Sequence, residues 1–518
     1  MTRIFKFAAM LVAGTILTAP AGAADAPAKK RPGLEQIQTV VVIYAENRSF
    51  DNLYGSFPGA NGIQGVTRGK YLQRDRDGKP LKELPPIWES LTAKGVKPEV
   101  TEAQTQHLAN KPFAIDDKKG FNTPLDLATR DLWHLFYQNQ MQINGGKNDM
   151  FAAYANSGGL VMGHYNTNAR NLPLWKIGQK YVLADNFYMA AFGGSFLNHI
   201  WLACACTPKY PNADQSPAKG QIAEVTPDGK ALVMAANSPR SALDGAPKFA
   251  REGTLTPDFY AVNTMQPPYQ PSANKPPEGG DTALADPKIA TTLPPQTDQT
   301  IGDLLSAKGV NWAWYSGAWQ AVLDGKNASP VPNFQFHHQP FNYFANYAPG
   351  KPARAEHLKD GGMDGVEFIK AIDAGSLPAV TFYKPQGNLN EHAGYAAVLS
   401  GDQHIADVIA HLQKSPQWAH MLVVVTYDEN GGFWDHAAPP KADRWGPGSR
   451  VPALIVSPFA KRGFVDHTQY DTTSILRFIT KRFDLPALPG ITVRDAALKA
   501  NGQKPLGDLT NALTLGKS

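Results

Sequence analysis

The sequence predicts an α/β fold: a doubly wound, mostly parallel sheet flanked by helices and interrupted by long loop insertions. Two observations carry this. Apolar, β-branched runs such as Thr39-Val-Val-Val-Ile-Tyr44 and Met421-Leu-Val-Val-Val-Thr-Tyr427 read as strands buried on both faces. In the last third of the chain such runs alternate with helical patterns, as crossover-linked parallel strands require. The 518 residues, 42% hydrophobic and 18% charged, can build a large core, and 42 Pro with 46 Gly give a loop-rich bias.

Met1 to about Ala24 reads as a secretory leader. Arg3 and Lys6 precede a short apolar stretch from Phe7 to Leu17, and Pro20-Ala-Gly-Ala-Ala24 offers small residues for cleavage. That stretch is too short to cross a membrane, and no later segment is long enough. The expectation is an exported protein, periplasmic or secreted, with no transmembrane segment. Residues 25–518 are read as one domain. The formal charge of +5 falls further once Arg3 and Lys6 leave with the leader, so nothing implies a nucleic-acid partner.

From Ala24 to Leu34 the composition predicts a loose leader, and the Thr39 strand follows. Gly55 to about Lys119 is dense in Gly, Pro and charge, hence mostly loop. Leu132, Leu135 and Phe136 have a helical rhythm that places His134 beside a helix face. Leu172 to Lys180 predicts a helix and Tyr181 to Asp185 a short strand. Residues 207–300 read as a loop-rich insertion with a modest strand at Ala231 to Ala235. Thr300–Lys308 and Asp364–Ala374 are expected helices, with strands at Val310–Tyr315 and Ala379–Tyr383. The amphipathic run Ile405–Gln413, with Ile405, Val408, Ile409 and Leu412 on one face, predicts another helix. Val451–Ser457 is the last expected strand and Thr472–Phe483 a closing helix. Of the two cysteines, Cys204 and Cys206, one residue apart would make a strained bridge, so buried free thiols are expected.

Candidate chemistry collects at strand ends. The first strand empties into Glu46 and Asn47, the second into Asp428 and Glu429. In open α/β sheets ligands gather beyond the carboxyl ends of strands. If the two strands are neighbours, three carboxylates and an amide converge, and their repulsion calls for a cation. Oxygen donors suit Mg, Ca or Mn, and Fe or Zn if histidine joins. The plainer alternative is a helix-start turn, with Asn47 or Ser49 as cap. In Phe192-Gly-Gly-Ser-Phe-Leu-Asn-His-Ile-Trp201 two glycines permit a sharp turn, and an apolar run predicts a helix starting at Ser195. That helix start would set free N–H groups and a positive dipole end beside the hydroxyl, suiting it to phosphate, although a simple N-cap is the commoner outcome. Phe334-Gln-Phe-His-His-Gln-Pro340 puts His337 and His338 in a loop, where only one would face a given ligand.

Taken in order, Glu46-Asn-Arg-Ser-Phe-Asp51, the His134–Asp149 segment, Gly193-Gly-Ser-Phe-Leu-Asn-His199, Glu391-His392 and Asp428-Glu-Asn-Gly-Gly-Phe-Trp-Asp-His436 resemble the bacterial acid phosphatase A and phospholipase C phosphoesterase family. The resemblance covers most of the mature chain and implies an alkaline phosphatase-like fold. It implies that Glu46, Asn47, Asp428, Glu429 and the Ser195 oxygen hold one divalent metal ion. Ser195 would then attack phosphorus, while His134, His337 or His338, and His392 line the phosphate pocket. Imidazoles with ordinary pKa values near 6.5 would favour mild acid. The phospholipase C branch usually carries threonine as nucleophile and further C-terminal β domains. Ser195, and a chain that stops soon after the Thr472 helix, therefore favour an acid phosphatase acting on small phosphorylated substrates. Phospholipase C action on phospholipid head groups, with the same residues, is the alternative. An idle phosphate- or metal-binding protein would need a lost ligand or nucleophile, and none is lost.

Overall fold

The computed structural model describes residues 33–515, so the expected secretory leader and most of the loose segment after it lie outside the described residues. Eight strands form the main sheet: β1 (Thr39–Ala45), β2 (Val182–Ala184), β3 (Trp312–Gly317), β4 (Leu358–Gly362), β5 (Val380–Lys384), β6 (Met421–Tyr427), β7 (Ala453–Val456) and β8 (Phe464–Asp466). Their spatial order is β8-β2-β7-β6-β1-β5-β3-β4. Strand β7 pairs antiparallel with both β6 and β2, and the remaining pairings are parallel.

The centre of this order follows from composition. Every residue of β1 and of β6 is buried, as the unbroken Val/Ile/Leu runs require of strands covered on both faces. The two are direct neighbours, paired in parallel from Thr39↔Met421 to Ala45↔Tyr427.

Two helical groups flank the sheet. Helices α3 (Pro173–Lys180), α6 (Val366–Asp373) and α7 (Val398–Lys414) pack together, as do α4 (Ser195–Cys204), α5 (Ile301–Ala307) and α8 (Thr473–Phe483). Ile405, Val408, Ile409 and Leu412 form the buried stripe of α7, which begins earlier than its apolar rhythm indicated. A further helix, α9 (Pro489–Ala500), follows α8 with proline in its first turn.

Three expectations need correction. Helix α2 spans Phe136–Ile143, so His134 lies in the extended approach to a helix, not beside its face. Ala231–Ala235 forms no strand; Leu232 and Met234 make only isolated bridges to Val225 and Phe249, because the surrounding Pro and Gly prevent a ladder. Cys204 and Cys206 are joined in a disulfide, not free. Helix α4 ends at Cys204, and Ala205 adopts a left-handed conformation (φ 48°) that folds Cys206 back within reach.

Candidate active site

Because β1 and β6 end in register, the segments that follow them leave the sheet side by side. The Asp428 amide donates to the Ala45 carbonyl at 3.1 Å. The Asn47 amide donates to Asp428 Oδ1 at 3.3 Å, and the Glu429 amide to the same oxygen at 2.8 Å. Glu46, Asn47, Asp428 and Glu429 are all fully buried. Asn47 makes the bend with a positive φ of 56°, a region asparagine enters more readily than most residues. The cap expected in this turn is Ser49, whose hydroxyl accepts from the Asn52 amide at the start of helix α1 (Phe50–Tyr54). Asp51 accepts from Arg450 and from His436, so it braces the turn.

Ser195 is the first residue of α4, reached through Gly193 (φ 88°) and Gly194. A Cβ on Gly194 would stand 2.7 Å from the His134 carbonyl, and one on Gly193 2.5 Å from the Phe136 nitrogen. The paired glycines therefore let the His134–Phe136 segment lie against the turn. Ser195 Oγ sits 3.4 Å from Asn47 Oδ1 and 3.5 Å from Glu429 Oε1. The serine and the carboxylate cluster meet.

The histidines divide by environment. His134 Nδ1 donates to the Leu132 carbonyl at 2.6 Å, leaving Nε2 3.8 Å from Glu429 Oε1. Burial pulls its pKa down, but the Glu429 and Asp131 carboxylates outweigh burial and hold it at about 9. His392 stacks on Tyr395 at 4.3 Å, with Nε2 3.8 Å from Glu46 Oε2. Burial lowers its pKa despite Asp131 and Glu46. His337 lines the cavity beside Ser195, whereas His338 turns inward and pairs through Nε2 with Glu46 Oε1. Burial drives His338 down to about 4 and His337 well below the ordinary value. The mild-acid expectation, built on unperturbed imidazoles, thus loses its basis at all four residues: His134 is raised, and His337, His338 and His392 are lowered. At the three lowered residues desolvation penalises the charged form more than nearby carboxylates favour it.

Ser195, His134, His337, His392, Asp131 and Tyr395 border a cavity of about 210 Å³. Asp131, His134 and Leu135 also border a larger groove of about 970 Å³, so the two adjoin across these residues.

Residues 37–486 match the model of the Phosphoesterase family. The chain belongs to that family. It is similar to phospholipase C B of Mycobacterium tuberculosis, 23% identical over 545 residues that cover 97% of this chain and 81% of that protein. It is also similar to the non-hemolytic phospholipase C of Burkholderia pseudomallei, 28% identical over 254 residues, 41% of this chain and 35% of that one. A solved protein in the alkaline phosphatase superfamily from Vibrio parahaemolyticus aligns over 62% of this chain and 63% of its own, at 12% identity and a TM-score of 0.30. A likeness of that size carries no inference about the site.

In this phosphoesterase the carboxylates are poised for a cation. Burial, then the Glu46 charge, raises Asp428 to about 7; burial raises Glu429 well above its ordinary value, and the Asp428 charge adds to it. Asp428 Oδ2 is buried without a hydrogen-bond partner. Crowded, desolvated carboxylates of this kind fit a metal ion, and the oxygens of Glu46, Asn47, Asp428, Glu429 and Ser195 are the donors at hand.

Several residues of the phosphoesterase site escaped the sequence reading. His199 lies one turn after Ser195 on α4; its Nδ1 donates to the Ser195 carbonyl at 2.7 Å and is 3.6 Å from Asp428 Oδ2. Glu46, His199 and Asp428 bring ligand atoms within 4.8 Å of one another, so a nitrogen donor is available behind the oxygen set. The i, i+4 spacing from Ser195 was the available signal. Lys384 ends β5 as Glu46 and Asp428 follow β1 and β6, and its buried Nζ lies 2.7 Å from Glu46 Oε1. Burial works against the Glu46 charge, yet Lys384 and His338 hold its pKa well below the usual range. The insertion contributes as well: Val262, Asn263 and Thr264 line the cavity, and Asn263 accepts from the Phe136 amide at 3.0 Å.

Proposed function

We propose that this phosphoesterase cleaves phosphodiesters in the manner of a phospholipase C, with Ser195 as nucleophile. The observation that carries the reading is Ser195 at the start of α4, its hydroxyl facing Asn47 and Glu429 at the mouth of a histidine-lined cavity. Similarity to phospholipase C B along 97% of the chain favours the diesterase over the acid phosphatase that the sequence put first.

Ser195 Oγ, its proton passed to the Glu429 carboxylate 3.5 Å away, attacks phosphorus in line; the O–P bond forms as the bond to the departing alcohol breaks, leaving a serine phosphodiester that keeps the head group. The N–H groups at the start of α4 face the developing charge. His134, the imidazole held cationic, neutralises the phosphoryl oxygens and supplies the proton that the alcohol takes; it borders both cavity and groove, where an alcohol would leave. His337 completes the wall with a neutral N–H donor, while His392, whose one N–H goes to the Ala393 carbonyl, presents an unprotonated Nε2. Water then gives a proton to the now neutral His134 and attacks the serine phosphodiester, Ser195 takes its proton back from Glu429, and the head group leaves as a phosphomonoester. A divalent cation held by Glu46, Asn47, Asp428 and Glu429 would supply Lewis acidity that favours the ionised hydroxyl.

A monoesterase is the second reading, favoured by the small size of the cavity at Ser195. Hydrolysis of a phosphocholine ester and of an aryl phosphate, compared in kcat/KM, separates the two. Preference for the aryl phosphate would restore the acid phosphatase. Export is part of the proposal: it rests on the Met1–Ala24 leader and draws support from the Cys204–Cys206 bridge, which suits an oxidising compartment.

A further inference from the structure

Beneath the cavity, Glu391 occupies a position where a glycine would be cheaper. Its φ of 78° lies in the left-handed region, and its side chain is completely buried. Helix α7 makes room for it: a Cβ on Gly401 would stand 2.5 Å from Glu391 Cγ and 2.6 Å from its nitrogen. A strained backbone and an opposing glycine both point to a side chain that is needed.

What the residue touches indicates why. Both carboxyl oxygens are within reach of the Tyr427 hydroxyl, at 3.0 and 2.9 Å, and Tyr427 is the residue before Asp428. The Glu391 carbonyl accepts from Arg48 Nε at 3.1 Å and Nη2 at 2.8 Å, and Arg48 follows Glu46-Asn47 directly. On its other side Glu391 is followed by His392, whose amide donates to Asn390 Oδ1 at 3.0 Å, while the Asn390 carbonyl accepts from the Glu46 amide at 2.8 Å. One short loop thus grips both strand ends and the cavity histidine.

We infer that Glu391 is a positioning residue: through its carboxyl on Tyr427 it sets the carboxylate cluster and His392 in register with Ser195, while its main-chain carbonyl holds Arg48. The inference rests on the phosphoester-cleaving reading of the site. Burial and the neighbouring Asp402 push its pKa well above the carboxylate range, and the carboxyl has one hydroxyl to accept from, that of Tyr427. A carboxamide can do the same.

Glu391→Ala should lower kcat for a phosphocholine ester by about 10- to 100-fold, leave KM within about threefold, and shrink the rise in melting temperature on adding Mn²⁺ alone. Glu391→Gln should restore kcat and the Mn²⁺ response to within about threefold of the parent. Parental kcat in a folded Glu391→Ala overturns the inference, as does Glu391→Gln behaving like Glu391→Ala. If the alanine variant does not fold, Tyr427→Phe decides: a fall in kcat at unchanged KM supports the inference, and parental kcat overturns it. Ser195→Ala, run alongside, must be inactive; residual turnover there defeats the reading of the site and not the role of Glu391.

Discussion

Ala45 and Tyr427 are the last pair of a parallel ladder, so Glu46 and Asp428 leave the sheet at the same level from adjacent strands. Residues 382 positions apart in sequence thereby share one buried cluster, and its repulsion is the physical origin of the candidate metal centre.

The cluster predicts cation-linked stability. A ligand bound only by the folded chain stabilises it by about 2.7 kcal/mol at a hundred times its Kd. Mn²⁺ should therefore raise the melting temperature of the parent and EDTA should reverse the rise. Asp428→Ala should show neither response, and an undiminished shift in that variant would exclude Asp428 as a ligand.

Replacing Ser195 with alanine should abolish turnover of both phosphocholine ester and aryl phosphate while the melting curve stays near that of the parent. Near-normal turnover would remove Ser195 from its role.

His134 is the imidazole that Glu429 and Asp131 hold cationic. His134→Asn should cost about 3–4 kcal/mol of transition-state stabilisation, roughly a hundred- to thousandfold in kcat. A loss confined to KM would make it a binding residue only.

Gly194 is not in the left-handed region, so Gly194→Ala tests packing alone. The added Cβ meets the His134 carbonyl at 2.7 Å, and overpacking of this kind costs about 1–3 kcal/mol. We expect a lower melting temperature together with a fall in kcat, because His134 must shift. Unchanged kcat at reduced stability would uncouple that segment from catalysis.

A second buried cluster predicts pH-dependent stability. Asp51, Asp435 and His436 could hold a metal by spacing, but Arg450 fills the centre, at 3.1 Å from Asp51 Oδ1 and 3.0 Å from Asp435 Oδ1. Burial lowers the His436 pKa, yet the bond to Asp51 and its charge raise it above 6.5 overall. Its stabilisation is therefore complete below pH 6.5 and is lost as pH rises through the folded-state value. Denaturant melts of the parent across that range should show a loss that His436→Asn lacks; identical profiles would remove His436 as the source. Arg450→Met, which strands two buried carboxylates, should cost about 3–5 kcal/mol.

Much of the fold was legible because it is written locally. Unbroken Val/Ile runs identified β1 and β6, and the paired glycines before an apolar run placed the start of α4 at Ser195. The errors arose where local rhythm met tertiary context. His134 shares an apolar pattern with α2, but the Gly193-Gly194 turn packs against its segment and holds it extended. Cys204 and Cys206 looked too close to bridge until Ala205 ended the helix in a left-handed turn.

By itself the sequence determined six of the eight sheet strands, missing β4 and β8, together with the acidic ends of β1 and β6, the glycine turn before Ser195 and the candidate chemistry, since each follows from residue types within a few positions of one another. Tertiary structure alone decided that β1 and β6 are neighbours, that His337 faces the cavity while His338 turns to Glu46, that Lys384 and His199 back the carboxylates, and that Glu391 joins the strand ends. It also set which imidazole stays charged. These depend on desolvation and contacts between segments far apart in the chain, which no local pattern encodes.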